Sequence, residues 1–156
     1  MKLTIICMGK TRERFIHDGI VKYMRYLNPY VDLEIRELRE EKIHDLKDAP
    51  RIRKKEAERI LKILPKNVFI AALDERGQAF TSHEFAAVIN GMLETGIKEI
   101  AFVIGGAMGL DECILEKANK NMALSRWTLT HEMARLVLLE QLYRAFTIIK
   151  GKTYHY

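Results

Sequence analysis

At 156 residues and 48% apolar composition the chain has material for one domain with its own core and too little for two, so residues 1–156 are read as a single domain. A chain of this size buries roughly 70% of the surface it exposes when unfolded, so it needs no staple, and its two cysteines, Cys7 and Cys113, form no disulfide framework and stand in no zinc-ligand spacing. Lys and Arg exceed Asp and Glu by 26 to 21, a modest +5; no apolar run reaches the roughly 18 residues of a membrane span, and Met1–Met8 lacks the length and flanks of a signal peptide, so an unprocessed cytoplasmic protein is expected.

Leu3 to Met8 is the first strand-type run, nearly all apolar as fits a strand covered on both faces. Phe15, Ile16, Ile20, Tyr23, Met24 and Leu27 then recur at helical spacing until Asn28-Pro29. Val31 to Leu38 is the second run, followed by a charged crossover, Arg39 to Ala49, read as an exposed loop. A second helical face (Ile52, Ala57, Ile60, Leu61, Leu64) is entered at Pro50 and stopped by Pro65. After the third run, Val68 to Leu73, a Thr81-Ser82-His83-Glu84 capping box opens a third helical face that ends before Gly96. Ile100 to Ile104 is the fourth run, and Met122 to Ser125 offers a fifth. Strands alternating with helices imply an α/β domain with a mostly parallel sheet flanked by helices.

The last helix, Glu132 to Ile149, is apolar round most of its circumference, with Glu140, Arg144 and Thr147 as its clear polar stripe. One sheet buries one face of a helix, so the surplus apolar face is expected to meet a second copy in a two-fold homodimer. Glu140 and Arg144, four apart, fit either a surface ion pair or polar groups facing a site across that interface.

In a parallel sheet the chemistry gathers at the carboxyl ends of the strands. Two segments lie there: Leu73-Asp74-Glu75-Arg76-Gly77, read as the loop after the third strand, and Gly105-Gly106-Ala107-Met108-Gly109 after the fourth. Three glycines in five residues let a ligand approach the backbone closely, or serve only a tight turn into a helix capped by Asp111. The spacing matches neither a dinucleotide fold nor a P-loop, so NAD and nucleoside triphosphates are disfavoured. The end of the chain, Lys150 to Tyr156, reads either as a loose basic tail or as rings that stack on a base beside a histidine that takes a proton. His17, His44, His83, His131 and His155 share no ligand spacing, so no metal is expected. Residues 1–66 hold 17 basic and 11 acidic side chains, 67–116 hold 2 and 8, and 117–156 hold 7 and 2. Basic ends around an acidic middle fit either unevenly charged solvated helices or a polyanion surface around a different kind of site.

The combination of Ala72-Leu73-Asp74-Glu75-Arg76-Gly77, Phe102-Val103-Ile104-Gly105-Gly106-Ala107-Met108-Gly109-Leu110, Thr128-Leu129-Thr130-His131-Glu132-Met133-Ala134-Arg135, Leu139-Glu140-Gln141-Leu142-Tyr143-Arg144-Ala145 and Tyr154-His155 closely resembles one family. It is similar to the small bacterial methyltransferases that modify N3 of a pseudouridine in 23S large-subunit ribosomal RNA, the ribosomal RNA large subunit methyltransferase H family of the SPOUT class. The opening Met1-Lys2-Leu3 to Gly9-Lys10 fits as well, so the resemblance spans essentially the whole chain. The glycine motif alone is weak; five motifs in order at the right length are strong.

The resemblance implies a SPOUT-type α/β fold with a C-terminal trefoil knot, a topology that ordinary threading rules discard, and a homodimer acting on 23S rRNA or the assembled ribosome. It implies S-adenosylmethionine as cofactor, held by Leu73, Gly105, Leu124, Ser125, Arg126, Trp127, Thr128 and Leu129. Thr130 stands where the family usually has Pro, though Thr is itself a good helix N-cap. For catalysis, His155 is the expected general base or its orienter, Tyr154 shapes the base pocket, and Arg144 stabilises negative charge on the base carbonyls, with His131 as a rival base. Arg51, Arg53, Lys54, Lys55 and Arg126 are the expected rRNA phosphate contacts. Two other readings stay open: a SPOUT enzyme with another rRNA target, such as a ribose hydroxyl, and a non-catalytic RNA-binding ribosome-assembly module.

Overall fold

The computed structural model describes residues 1–152. In chain order the elements are β1 (Lys2–Met8), α1 (Arg14–Leu27), β2 (Asp32–Leu38), a 3-10 turn at Leu46–Asp48, α2 (Ala49–Ile63) and β3 (Phe69–Ala79). They continue with α3 (Ser82–Glu94), β4 (Glu99–Ile104), α4 (Glu112–Lys117), β5 (Lys120–Ala123) and α5 (His131–Ile149). All strand pairs are parallel, and the sheet runs β2-β1-β4-β3-β5.

The apolar runs of β1 and β4 follow from burial on both faces. Leu3, Ile5, Cys7, Ile100, Phe102 and Ile104 pack on the side of α1, α3 and α5. Their neighbours Ile6, Met8, Ala101 and Val103 pack on the side of α2 and α4, so every residue from Leu3 to Met8 and from Ile100 to Ile104 is buried. The capping box of α3 forms as expected: Glu84 N donates to Thr81 Oγ1 at 3.2 Å and Thr81 N to Glu84 Oε2 at 2.7 Å. The 39–49 crossover is mostly exposed, and it tightens into the 3-10 turn just before α2. Among the described residues no helix is long and apolar enough to cross a membrane.

Two expectations change. Leu73 to Gly77 is not a loop after β3 but a bulge within it. Leu73 and Gln78 both pair with Met122, so residues 74–77 swing out and the strand then resumes. Charged residues inside an extended segment imitate a turn in sequence, and here the Asp74 carboxylate holds the bulge by accepting from Arg76 N at 2.9 Å and Arg76 Nε at 3.0 Å.

The second change concerns α5. Its surplus apolar surface is partly covered within the chain, because α5 packs against both α1 and α3 as well as the sheet. The approach to α1 is close: a Cβ on Gly19 would lie 2.8 Å from Leu136 Cδ1. Thr147, read as part of a polar stripe, is buried and donates its hydroxyl to Arg144 O at 2.8 Å, which satisfies it without water. Of the exposed large apolar side chains on this side of the molecule, Phe15, Val21 and Tyr26 belong to α1 and Leu93 to α3 rather than to α5.

Candidate functional site

At the bulge of β3 and the carboxyl end of β4 lies an open cleft of about 790 Å³, within the range of small-molecule sites. Its floor is the turn that follows β4. An added Cβ on Gly105 would sit 2.6 Å from Gly109 C and 2.8 Å from Gly109 O, so this turn closes on its own backbone. Gly109 takes φ +77° and donates its N–H to Gly106 O at 3.0 Å. Gly105 and Gly109 are therefore demanded by the turn itself, as the tight-turn reading has it, and the same turn lines the cleft. Asp111 then caps α4, accepting from Cys113 N at 3.0 Å. Hydrogen bonds from Cys113, with Arg53 and Lys54 nearby, hold the Asp111 carboxyl below its usual range.

The β3 bulge makes a second wall with Leu73, Asp74, Glu75 and Arg76, and the segment from Leu124 to Ala134 a third. The two are tied together, since Thr128 Oγ1 donates to Glu75 Oε2 at 2.7 Å, while Trp127 N donates to Ser125 Oγ at 2.9 Å and fixes the turn between them. Thr130 caps α5 by accepting from Met133 N at 3.2 Å, so the departure from Pro at this position costs the helix no cap. The start of α2 closes the fourth side through Pro50 and Arg53, whose Nη1 donates to Met108 O at 3.4 Å.

Four carboxylates (Asp74, Glu75, Asp111 and Glu112) and two guanidiniums (Arg53 and Arg76) line this cleft. The Arg76 hydrogen bonds keep Asp74 ionised, its carboxyl held below the usual range. His131, half-buried on the third wall, is pushed to lower pKa by burial and then by the Arg135 cation, which favours the neutral imidazole.

Two buried charges support the cleft from behind. Arg135, fully buried on α5, donates to Gly9 O at 3.0 Å, Thr11 Oγ1 at 2.9 Å, Glu37 Oε1 at 3.2 Å and also to Met8 O. It thereby fastens the start of α5 to the ends of β1 and β2. Glu56 of α2 accepts from Glu41 N at 3.0 Å through Oε1. Its Oε2 has no hydrogen-bond partner among the described residues and sits where a Cβ on Gly106 would come within 2.7 Å. Burial raises the pKa of this carboxyl.

Of the expected cofactor contacts, the structure brings Leu73, Gly105, Leu124, Ser125, Trp127, Thr128 and Leu129 to the one cleft. Arg126 does not line it; its side chain is exposed between Ser125 and Trp127. Arg144 is not brought there either. It lies ten residues past Ala134, about 15 Å along the α5 axis, with Nη2 2.8 Å from Glu140 Oε1 in the expected i,i+4 pair. Tyr154 and His155 lie outside the described residues. Sequence reasoning missed Pro50 and Arg53 as a wall, because nothing in the α2 pattern says which sheet end the helix starts from. Among the described residues no group of three or more His, Cys, Asp or Glu side chains could hold a metal ion.

A family model described as a predicted SPOUT methyltransferase matches residues 1–155. The chain is 45% identical over 156 residues to "Ribosomal RNA large subunit methyltransferase H" of Geobacter sulfurreducens and 42% identical over 156 residues to the protein of the same name in Geotalea uraniireducens, with the full length of both chains covered in each case. Among solved structures, a probable methyltransferase from Bordetella pertussis Tohama I is similar in fold, with a TM-score of 0.55 at 15% identity over 93% of this chain and 94% of that one. A probable methylase family protein from Haemophilus influenzae Rd KW20 matches at the same TM-score, 0.55, over 99% of this chain and 70% of that one. The glycine turn, the bulged third strand and the segment before α5 thus lie in a chain matched over residues 1–155, which belongs to the SPOUT methyltransferase family.

Proposed function

We propose that this chain, acting as a single domain in a cytoplasmic homodimer, transfers a methyl group from S-adenosylmethionine to N3 of a pseudouridine in 23S rRNA on the assembled ribosome. The observation that carries the reading is the convergence of three distant segments, 73–76, 104–112 and 124–131, on one cleft. Its chemistry suits the cofactor: Leu73, Leu110, Leu124 and Leu129 offer apolar contact to an adenine, and the four carboxylates attract a cationic sulfonium. When bound, S-adenosylmethionine supplies an electrophilic methyl group.

The remaining work falls to the protein. N3 of neutral pseudouridine carries a proton and is a poor nucleophile, so a base must take that proton as the new N–C bond forms. In this reading His155 takes or directs it, Tyr154 shapes the base pocket, and Arg144 stabilises the charge that builds on the carbonyl oxygens. Arg144 stands too far along α5 to serve the cleft of its own chain, so it acts in that of a second copy, as the dimer requires. The threaded C-terminal topology of the family belongs to the same proposal. His131, neutral and already on the cleft wall, is the alternative base.

Single-turnover methylation of ribosomes from a deletion strain, with both substrates saturating, tests this. His155→Ala is expected to slow the step about 100- to 10,000-fold. A wild-type rate there, with the loss appearing in His131→Ala instead, moves the base to His131. Mass spectrometry of digested rRNA must place the methyl group on a pseudouridine base; a ribose methyl, or none, refutes the assignment.

A further inference from the structure

Trp127 is the chain's only tryptophan, and 83% of it is exposed at the rim of the cleft. A side chain of this kind is normally among the most deeply covered in a fold. Its backbone is nevertheless held firmly: Trp127 N donates to Ser125 Oγ, and the next residue, Thr128, is hydrogen-bonded to Glu75. The result is a fixed platform with an open ring. Leu124, Ser125, Thr128 and Leu129 line the cleft beside it, whereas a ring this exposed is offered to something that arrives from solvent.

The surroundings indicate what arrives. Arg126, beside it, is exposed, Arg53 lines the same cleft, and Arg53 and its neighbour Lys54 are near enough to Asp111 to lower its pKa. An aromatic face flanked by cations is the combination that binds unpaired nucleotides, ring on base and cation on phosphate. We infer that Trp127 stacks on a nucleobase of the RNA acceptor and so positions the nucleotide to be methylated over the cleft. The inference rests on the proposed function, since it names how that acceptor is gripped.

The test uses ribosomes from a deletion strain as substrate. Trp127→Leu keeps an apolar side chain and removes the π face; Trp127→Phe keeps a face. The half-saturating ribosome concentration should rise about 5- to 150-fold in Trp127→Leu and stay close to wild type in Trp127→Phe. In Trp127→Leu the S-adenosylmethionine affinity read by calorimetry should fall far less than ribosome binding does, and the indole of the RNA-free protein should be freely quenched by acrylamide. An unchanged half-saturation in Trp127→Leu overturns the inference. A loss of cofactor affinity as large as the loss of ribosome binding overturns it too, by giving the ring to the donor pocket, as does an indole shielded from acrylamide, which assigns it to a contact between copies. In each of these cases methylation by the wild-type protein still stands; if the wild type leaves rRNA unmethylated, the proposed function fails and this inference with it.

Discussion

Replacing Arg135 with methionine removes the clamp behind the cleft while filling most of its volume. The guanidinium is fully buried and serves four acceptors. Two of them are cheap to abandon, because Glu37 is 34% exposed and Thr11 is half-buried, so water replaces the lost donors. The other two, Met8 O and Gly9 O, make buried bonds to Arg135. Each buried carbonyl left without a donor costs about 1–3 kcal/mol, so Arg135→Met should lose about 4 kcal/mol, a large part of the roughly 5–15 kcal/mol that holds a domain together. With a urea m-value of about 2 kcal/mol/M, the unfolding midpoint followed by circular dichroism falls by about 2 M. Arg135→Lys keeps the charge but loses the planar fork, and should fall in between. A midpoint within about 0.5 M of wild type in Arg135→Met would show that β1 and β2 do not depend on this residue and would refute the argument.

Gly105→Ala drives a methyl group into the Gly109 carbonyl, so the turn must shift; the expected cost is about 1–3 kcal/mol in stability together with weaker S-adenosylmethionine binding, read by thermal melts and calorimetry, and a variant normal in both would mean the turn yields freely. Glu56 titrates higher in the folded chain than unfolded, mainly because it is buried, so the folded state keeps a proton that the unfolded state releases, and stability falls as pH rises from the unfolded value through the folded one. Glu56→Gln abolishes that loss, and its melting temperature relative to wild type should climb as pH rises above the ordinary carboxylate range; a constant difference contradicts the assignment. RNA affinity should drop steeply with salt, and Lys54→Ala and Lys55→Ala should each shallow the log–log slope by about 1; an unchanged slope removes α2 from the RNA surface.

Much of this was legible beforehand, for reasons that differ by element. β1, β4 and α3 declare themselves, the first two because two-sided burial makes them almost wholly apolar and the third because its capping box is local chemistry. The bulge of β3 is hidden because its register is set by Met122, about 45 residues downstream, not by Asp74 to Gly77 themselves. The six residues of α4 are too few for a helical period to show. Arg135 illustrates the general limit. On a helical wheel it is a charged residue in an apolar field, and only the fold reveals that three loop-end oxygens over 120 positions away require it. The cleft was found from its glycines and from its likeness to a family, whereas Arg53 and Pro50 enter it only through the crossover from β2.

The sheet order has a consequence for how the chain is made. No two neighbouring strands are joined by a hairpin, and β1 pairs with β4 from Lys2↔Glu99 onward, so its first and fourth strands meet across most of the sequence. Such topology folds slowly, because loops must close before any pairing rewards them. The end of β1 waits longer still, since its carbonyls are satisfied only when Arg135 arrives on the last helix. During synthesis the core therefore cannot be completed until α5 leaves the ribosome, and shortened chains that stop at β5 would expose unsatisfied strand ends and the uncovered faces of α1 and α3 to proteolysis.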